Sequence, residues 1–404
     1  MSLMLAVPRH NINLNTHEVG FLVRSLVSAP GIGNTVSRFE EAFAAYIGAG
    51  HGIGFSSGSA ALYHAVQASG LTEGDSIIVP EYEFYSVVET LRLCGLKVRF
   101  AKVRPEDGNV DLPSIQAAMS EEVKAVLVAH IHGNPAPIPE IADWCRQQNL
   151  LLVEDCAHSA GASLDGRQTG SFGDFAVFSF GDGKALTACG GGMVTTSNDE
   201  FARKLRETRD SLVPPPRKVT FRKALASLAK WALSTRIGFT LTLFPIAYLY
   251  AEIFRGNLLD RLFRQQAFAL RDVPADYRFR LTDLEGALGL SQLSRLKQLN
   301  RIRCENAAAI AQQLAKTEGI VLPQNTVDGT CLNFRLQVKD AAALSTALIE
   351  QGIDTRRDYL MIYSDDHPYG LRPKQSVYIA DHPGLRLGEA DRVGRAVAEC
   401  VEEK

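Results

Sequence analysis

The stretch FSFGDGKALTACGGG, residues 178–192, places a single lysine, Lys184, in a glycine-rich bend after an apolar strand predicted at residues 175–180. Burying a lysine is costly, and neighbouring glycines allow another group to approach the backbone closely. The pattern therefore indicates either a lysine that binds a ligand or an exposed lysine in a turn.

Neither common nucleotide-binding motif explains this lysine. A P-loop needs Gly-x-x-x-x-Gly-Lys followed by Ser or Thr, but Phe178 stands at the first glycine position and Ala185 follows Lys184. The glycines of GAGHGIG, residues 48–54, lack the Gly-x-Gly-x-x-Gly spacing of dinucleotide-binding proteins.

Length and composition describe a globular protein of two or three structural units, with 404 residues, 46% of them hydrophobic and 22% charged. A net charge of −2 predicts no binding to nucleic acid, so an anionic ligand needs a local cationic site. The seven cysteines contain no C-x-x-C pair and suggest neither a disulfide framework nor a metal site. The start, MSLMLAVPRH, does not resemble a secretory signal, which predicts a cytoplasmic protein.

From about residue 16 to residue 192, helices alternate with short apolar strands, which indicates an α/β fold. This alternation is typical of parallel sheets with right-handed crossovers, whose ligands bind at the carboxyl ends of the strands. The residues that follow each strand are therefore the candidates for a site. The predicted strands are 52–55, 76–79, 98–101, 125–129 and 150–154, and the predicted helices are 39–47, 60–68, 87–94, 115–119 and 139–147.

Four such positions carry chemically useful groups, and each has a structural alternative. SSGSAAL, residues 56–62, can hold a phosphate on helix N–H groups or simply cap a helix. PEYEFYS, residues 80–86, offers aromatic rings for stacking or for the core. Asp155 ends the segment LLLVED, and its carboxylate can pair with a cationic ring nitrogen or serve as a cap or ion pair. The strand that ends near Ser179 leads to Lys184.

Together these groups describe a site for pyridoxal phosphate (PLP). This cofactor acts as an electron sink, while the protein supplies a lysine for a Schiff base and an aspartate for the ring nitrogen. Burial lowers the pKa of such a lysine, so that its neutral amine can act as a nucleophile and later as a base.

Three segments, residues 31–66, 153–184 and 277–296, resemble the DegT/DnrJ/EryC1/StrS aminotransferases, which are PLP enzymes of fold type I. The resemblance implies an α/β fold with a mostly parallel sheet in the large domain and a smaller α/β C-terminal domain. We expect a large PLP-binding domain at residues 1–212, an apolar, basic helical insertion at 213–275, and a small domain with an interface helix at 276–404.

The resemblance also implies a role for each site residue. Among the catalytic residues, Lys184 would form the Schiff base, Asp155 would pair with the pyridine nitrogen and His158 would lie beside the ring hydroxyl. The implied cofactor contacts are stacking by Phe84 and phosphate binding by Gly58, Ser59, Ala60 and Ser179. Family members are usually homodimers with shared active sites, and Arg278, where the family commonly has Asn, would reach the partner's cofactor.

The implied reaction transfers an amino group from an amino-acid donor, glutamate by resemblance, to a keto acceptor. The expected acceptor is a keto-sugar nucleotide or a related glycan or lipid-linked precursor. Two alternatives are a PLP-dependent dehydratase or eliminase, and a non-catalytic, membrane-associated paralogue. Lys184 argues against the dehydratase because family dehydratases commonly lose this lysine, and Lys184 with Asp155 argues against the paralogue.

Residues 217–264 of the insertion contain an uncharged run, IGFTLTLFPIAYLYA (237–251), flanked by basic residues. Fifteen residues fall short of the roughly 20 that span a bilayer, and Pro245 interrupts the run. Two interpretations stay open: packing at a subunit or domain interface, or peripheral contact with the inner face of the membrane.

Overall fold

A computed structural model describes residues 5–27, 34–262, 269–323, 328–357, 360–364, 375–386 and 388–402. The strands up to residue 196 are β1 (His51–Phe55), β2 (Ser76–Pro80), β3 (Tyr82–Glu83), β4 (Lys97–Ala101), β5 (Val123–Ala129), β6 (Leu151–Asp155), β7 (Ser163–Leu164), β8 (Arg167–Gln168), β9 (Phe175–Ser179) and β10 (Gly192–Thr196). The helices of this part are α1 (Thr16–Val27), α2 (Thr35–Ile47), α3 (Gly58–Ala68), α4 (Tyr85–Leu93), α5 (Leu112–Ala117), α6 (Ile138–Gln147) and α7 (Asp199–Ser211), with a 3-10 turn at Ile131–Gly133.

The central sheet has seven strands in the order β1-β10-β9-β6-β5-β2-β4. Strands β9, β6, β5, β2 and β4 are parallel, which confirms the predicted α/β fold. The prediction missed β10, which runs antiparallel between β9 and β1. No helix separates β9 from β10, and a chain that returns without a crossover helix pairs antiparallel.

The antiparallel β10 has a useful consequence for β1. Because β1 in turn pairs antiparallel with β10, it points in the same direction as the parallel strands. The segment after Phe55 therefore lies at the same edge of the sheet as the ends of β6 and β9, as the sequence interpretation requires.

Alternate residues of each strand pack on opposite faces of this sheet, as strand geometry dictates. One face, with Val153 and Val177, packs against helices α3, α4 and α7. The other face divides between a cluster that contains Leu152, with α5 and α6, and a cluster that contains Phe178, with α2. Helices on both faces account for strands that are apolar along their whole length.

The C-terminal part forms a smaller sheet of its own. Its strands are β11 (Ile320–Val321), β12 (Phe334–Val338), β13 (Arg356–Arg357) and β15 (Ser376–Ile379), in the antiparallel order β11-β12-β15-β13, while β14 (Met361–Ile362) pairs with β3. The helices are α12 (Asp283–Leu293), α13 (Leu296–Leu314), α14 (Ala341–Glu350) and α15 (Glu389–Glu402), preceded by a 3-10 turn at Ala275–Arg278.

Residues 7 and 9 contact this C-terminal part, whereas Ile12 and Leu14 pack in the cluster that contains Phe178 of the large sheet. Val7 forms a parallel bridge with Ile353, and the guanidinium of Arg9 forms two hydrogen bonds, of 2.6 and 2.7 Å, to the carboxylate of Asp354. The division at residues 212 and 275 stays a prediction, and these contacts show that the first residues pack with the last third of the chain.

The insertion is helical, with α8 (Arg217–Ser234), α9 (Arg236–Leu241), α10 (Leu243–Phe254) and α11 (Leu258–Leu262). Its uncharged run is divided at Thr242 between α9 and α10, and Pro245 lies in the first turn of α10, where a missing N–H costs little. Among the described residues, no helix has the length and apolar character needed to cross a bilayer. Residues 263 and 264 of the predicted membrane-contact segment lie outside the described residues.

Glu154, the penultimate residue of β6, is fully buried and organises the end of this strand. Its carboxylate accepts backbone N–H groups from Gly170, Phe172 and Gly173 at 2.7–2.8 Å. It also lies 3.1 Å from Nε2 of His130, whose Nδ1 accepts the N–H of Ala136. These contacts occupy both carboxylate oxygens, so although Cys156 lies nearby, the cluster is a structural network.

We expect Glu154→Ala to lower the free energy of unfolding by about 3–5 kcal/mol, because it leaves three N–H groups and a histidine buried without their acceptor. Urea denaturation followed by circular dichroism measures the change. Glu121→Ala is the control, because Glu121 is exposed and its loss should alter stability by less than about 0.5 kcal/mol. A loss below about 1 kcal/mol in Glu154→Ala would contradict this interpretation of the network.

Candidate active site

A cavity of about 400 Å³ lies at the carboxyl edge of the central sheet. The structure brings most of the predicted site residues to its wall: Gly58, Ser59, Phe84, Asp155, His158, Ser179 and Lys184. Ala60 and Arg278 do not line this cavity. The roles assigned to these residues stay predictions, and their positions are described below.

Lys184 and Asp155 form the electrostatic centre of the cavity. Burial lowers the pKa of Lys184 to about 8, although the negative charge of Asp155 acts in the opposite direction. Burial raises the pKa of Asp155, while the N–H of Ala157, which donates to Oδ1 at 2.8 Å, and the charge of Lys184 lower it. The amine is therefore poised to lose its proton near neutral pH.

The start of α3 supplies the predicted phosphate-binding groups. Ser57 caps the helix by accepting the N–H of Ala60 at 3.1 Å. Ala60 itself is buried, and its N–H already has this partner in the first turn of the helix. Gly58 faces Ser179 so closely that a Cβ at residue 58 would lie 2.9 Å from the Cβ of Ser179. Gly58, Ser59 and Ser179 line the cavity, whereas Ala60 does not, and phosphate binding by all four residues stays a prediction.

His158 and Phe84 lie on the cavity wall, as predicted. Burial holds the pKa of His158 well below its usual range, so its imidazole is neutral. Its ring stacks on that of His132, with centroids 6.1 Å apart and planes at 10°. A neutral imidazole can exchange a hydrogen bond with a ring hydroxyl without adding charge.

Arg278 lies in an exposed position on the 3-10 turn at Ala275–Arg278. The carbonyl oxygen of Arg278 accepts the N–H of Val213, a contact that fixes the turn. Arg278 does not line this chain's own cavity, and its predicted contact with a partner's cofactor stays a prediction.

The sequence interpretation missed several polar residues of the cavity wall, among them His10, Glu83, Lys230 and Arg356. They come from the N-terminal segment, β3, α8 and β13, so no local motif groups them. Glu83 lies within PEYEFYS, a segment interpreted for its aromatic rings alone. Only the fold reveals that these residues share one cavity.

Glu83 is the most unusual of these residues, because it is only 2% exposed. Its Oε1 accepts the N–H of Phe84 at 2.7 Å, whereas its buried Oε2 has no hydrogen-bond partner among the described residues. Burial and the nearby charge of Asp155 raise its pKa well above the usual range, which favours the protonated form. In its protonated form, a carboxylic acid near Lys184 can donate a hydrogen bond to a bound ligand.

Comparison with known proteins identifies the family. The model of the DegT/DnrJ/EryC1/StrS aminotransferase family matches residues 24–230 and 255–380. The chain belongs to this family. The residues between the two matched segments, 231–254, contain α9 and α10. The resemblance found in the sequence is therefore confirmed.

Individual relatives agree with this assignment. The GDP-perosamine synthase of Caulobacter vibrioides is 32% identical over 394 residues, which cover 96% of this chain and 90% of that protein. An aminotransferase of Helicobacter pylori that is involved in pseudoaminic acid biosynthesis has the same fold, with a TM-score of 0.75 at 18% identity over 99% of this chain and 100% of that one.

A solved dehydratase shares the fold as well. The GDP-4-keto-6-deoxy-D-mannose-3-dehydratase of Escherichia coli, solved with bound hydrated PLP, gives a TM-score of 0.72 at 21% identity, covering 98% of this chain and 100% of that one. The fold of this family thus serves more than one reaction.

The family implies dependence on PLP, and the cavity residues fit this cofactor. The carboxylate of Asp155 suits a protonated ring nitrogen, and the start of α3 with Ser179 suits a phosphate. The buried Oε2 of Glu83 is a polar atom that a ligand in the cavity would satisfy. Lys184 would supply the amine that PLP requires.

We expect the rate at which the cofactor-free protein takes up PLP to rise with pH around a midpoint near 8, because only the neutral amine of Lys184 attacks. Asp155→Asn should move this midpoint to lower pH, because the negative charge of Asp155 raises the pKa of Lys184. Stopped-flow absorbance measures the rate, and Lys184→Ala is the blank. A midpoint near that of an exposed lysine, about 10.4, would refute the proposed desolvation of the amine.

Proposed function

We propose that this enzyme transfers an amino group from glutamate to the keto carbon of a nucleotide-linked sugar or of a related glycan or lipid-linked precursor. The observation that carries the proposal is that a desolvated Lys184 and the acidic Asp155 line the same cavity in a chain of an aminotransferase family. Similarity to a GDP-perosamine synthase along nearly the whole length of both chains supports the nucleotide-sugar acceptor.

The cations of the cavity wall can bind anionic substrates. Arg356 and Lys230 line the cavity together with Lys184, and the acidic residues Glu83, Asp155 and Asp182 line it as well. A guanidinium binds carboxylate or phosphate in a fixed geometry, and a lysine binds phosphate as a point charge. We assign Arg356 and Lys230 to the carboxylates of the donor and the phosphates of the acceptor.

When bound, PLP supplies an electron sink for the bonds of the substrate carbon. The neutral Nζ of Lys184 takes the proton from that carbon and later donates a proton in the second half of the reaction. The lowered pKa of Lys184 suits both the uptake and the release of a proton near neutral pH. The carboxylate of Asp155 stabilises positive charge at the ring nitrogen. Glu83 and the neutral His158 orient polar groups of the ligand by hydrogen bonds.

The dehydratase and the non-catalytic paralogue are the alternatives. The dehydratase of Escherichia coli shares only the fold with this chain at 21% identity, so this similarity does not favour dehydration. Retention of Lys184 favours amino transfer over dehydration within the family. A paralogue without activity would not need a desolvated amine at Lys184 or the carboxylate of Asp155 near it, so these two residues argue against this alternative.

We further propose a cytoplasmic homodimer in which each subunit completes the other's site. The exposed position of Arg278, away from its own cavity, supports this arrangement. Arginine forms stronger contacts with an anion than the Asn that the family commonly has at this position, so Arg278 would bind the phosphate of the partner's cofactor or a substrate anion.

Incubation of the PLP-loaded enzyme with glutamate and GDP-linked or UDP-linked keto sugars tests the reaction. We expect a sugar with a primary amine in place of the keto oxygen, together with 2-oxoglutarate, both identified by mass spectrometry. Lys184→Ala should form neither product while retaining its circular dichroism spectrum. Loss of water without amine incorporation would identify a dehydratase instead, and no product with any keto sugar would contradict the proposed acceptor.

Mixing of inactive subunits tests the shared site. Lys184→Ala and Arg278→Ala homodimers should each lose activity, but a mixture that exchanges subunits should regain up to about a quarter of the wild-type rate, because one site in each mixed dimer is intact. Light scattering establishes the dimer and activity assays follow the recovery. A monomer at working concentration, or a mixture that stays inactive after proven exchange, would eliminate the shared site.

A further inference from the structure

The insertion exposes large apolar side chains on adjoining helices. Ile237 and Leu241 of α9 are 59% and 71% exposed, and Ile246, Leu249 and Ile253 of α10 are 58%, 59% and 68% exposed. Residues 246, 249 and 253 recur at spacings of three and four, so they share one side of α10. We refer to these five residues as the apolar face.

The apolar face is not part of the protein's own core. Helix α10 already packs through its opposite side, where Ala247 and Ala251 are fully buried in a cluster with Phe239, Leu259 and Ile349. An exposed group of large apolar residues on a folded chain marks a surface for another partner. The face also lies within residues 231–254, which the family model does not match.

The insertion that carries this face also carries exposed cations. Residues 213–262 contain eight basic and two acidic residues. Four of these basic residues form ion pairs with acidic residues from other parts of the chain: Lys223, Lys230, Arg236 and Arg255. On α8, the exposed Lys218 and Arg222 lie beside the exposed Phe221 and Leu225. Apolar side chains among cations are the composition that binds an anionic lipid surface.

The same charges argue against a second copy of this chain as the partner. In a two-fold symmetric contact the insertion would meet its own copy, so the exposed Lys218 and Arg222 would face a surface that carries the same cations. The length of α10 argues against insertion across a bilayer, because its 12 residues span only about 18 Å of a hydrocarbon core of about 30 Å. A helix of this kind lies on the membrane.

We propose that the apolar face, together with the exposed cations Lys218 and Arg222 of α8, docks the enzyme on the surface of a bilayer that contains anionic phospholipids. The apolar side chains enter the boundary between headgroups and acyl chains, and the cations contact lipid phosphates. Helix α8 also carries Lys230, which lines the active-site cavity and forms a 2.7 Å ion pair with Asp182. Docking therefore holds the mouth of the cavity within about 27 Å, the length of α8, of the lipid.

Sedimentation of the full-length, PLP-loaded protein with lipid vesicles tests the docking. We expect binding to vesicles of phosphatidylcholine mixed with phosphatidylglycerol, weaker binding to phosphatidylcholine alone, and a decrease with added salt. The variant I246Q/L249Q/I253Q should bind at least about 100-fold more weakly, because three apolar side chains no longer leave water. Gln is a good helix former and preserves α10.

Two further variants separate the contributions. K218Q/R222Q should bind the anionic vesicles about 20-fold more weakly and the neutral vesicles unchanged. V321Q is the matched control, because Val321 on β11 is 53% exposed outside the insertion, and it should bind like the wild type. Circular dichroism and aminotransferase activity in solution should be unchanged in I246Q/L249Q/I253Q.

Three results would overturn the proposal. Wild-type protein could fail to sediment with anionic vesicles, or I246Q/L249Q/I253Q could bind as tightly as the wild type. A change of oligomeric state in this variant, measured by light scattering, would instead identify the face as an interface between copies. Vesicle binding does not depend on the reaction, so an enzyme that fails the amino-transfer assay still gives a decisive sedimentation result.

Discussion

The buried carboxylate of Glu154 is the interaction on which the site depends. Its contacts with three backbone N–H groups and with His130 join the end of β6 to the segment that leads into β9. Successive side chains of a strand point to opposite faces, so fixing Glu154 on one face directs Asp155 to the other, where it lines the cavity. Of these two adjacent acidic residues, Glu154 thus stabilises the end of β6, while Asp155 faces the cavity.

The sequence was sufficient for the local elements and for their common edge. Strand–helix alternation predicted the parallel strands, and the groups after each strand identified Lys184, Asp155, His158 and Phe84 as neighbours. Local patterns could not reveal β10, because its direction depends on the absence of a crossover helix. They also could not show that the N–H of Ala60 bonds to Ser57, since SSGS is compatible with a phosphate site although it is more often only a helix cap.

The residues that the sequence did not reveal share one property: each reaches the cavity through tertiary packing. Glu83 is held by the pairing of β3 with β14, two strands almost 280 residues apart in the chain. Lys230 belongs to a helix whose sequence suggests only an apolar, basic surface. Burial by distant segments raises the pKa of Glu83 well above that of an exposed glutamate and so favours its neutral form.

The bridge between Val7 and Ile353 joins segments almost 350 residues apart, and this has a consequence for biosynthesis. The ribosome releases residues 5–10 long before their partners, which include Asp354. His10 from one segment and Arg356 from the other both line the cavity, so the large sheet can fold during translation while part of the cavity wall is still missing. The nascent chain therefore lacks a finished cavity until Arg356 has left the ribosome, and a product truncated before this residue is left without that part of the wall.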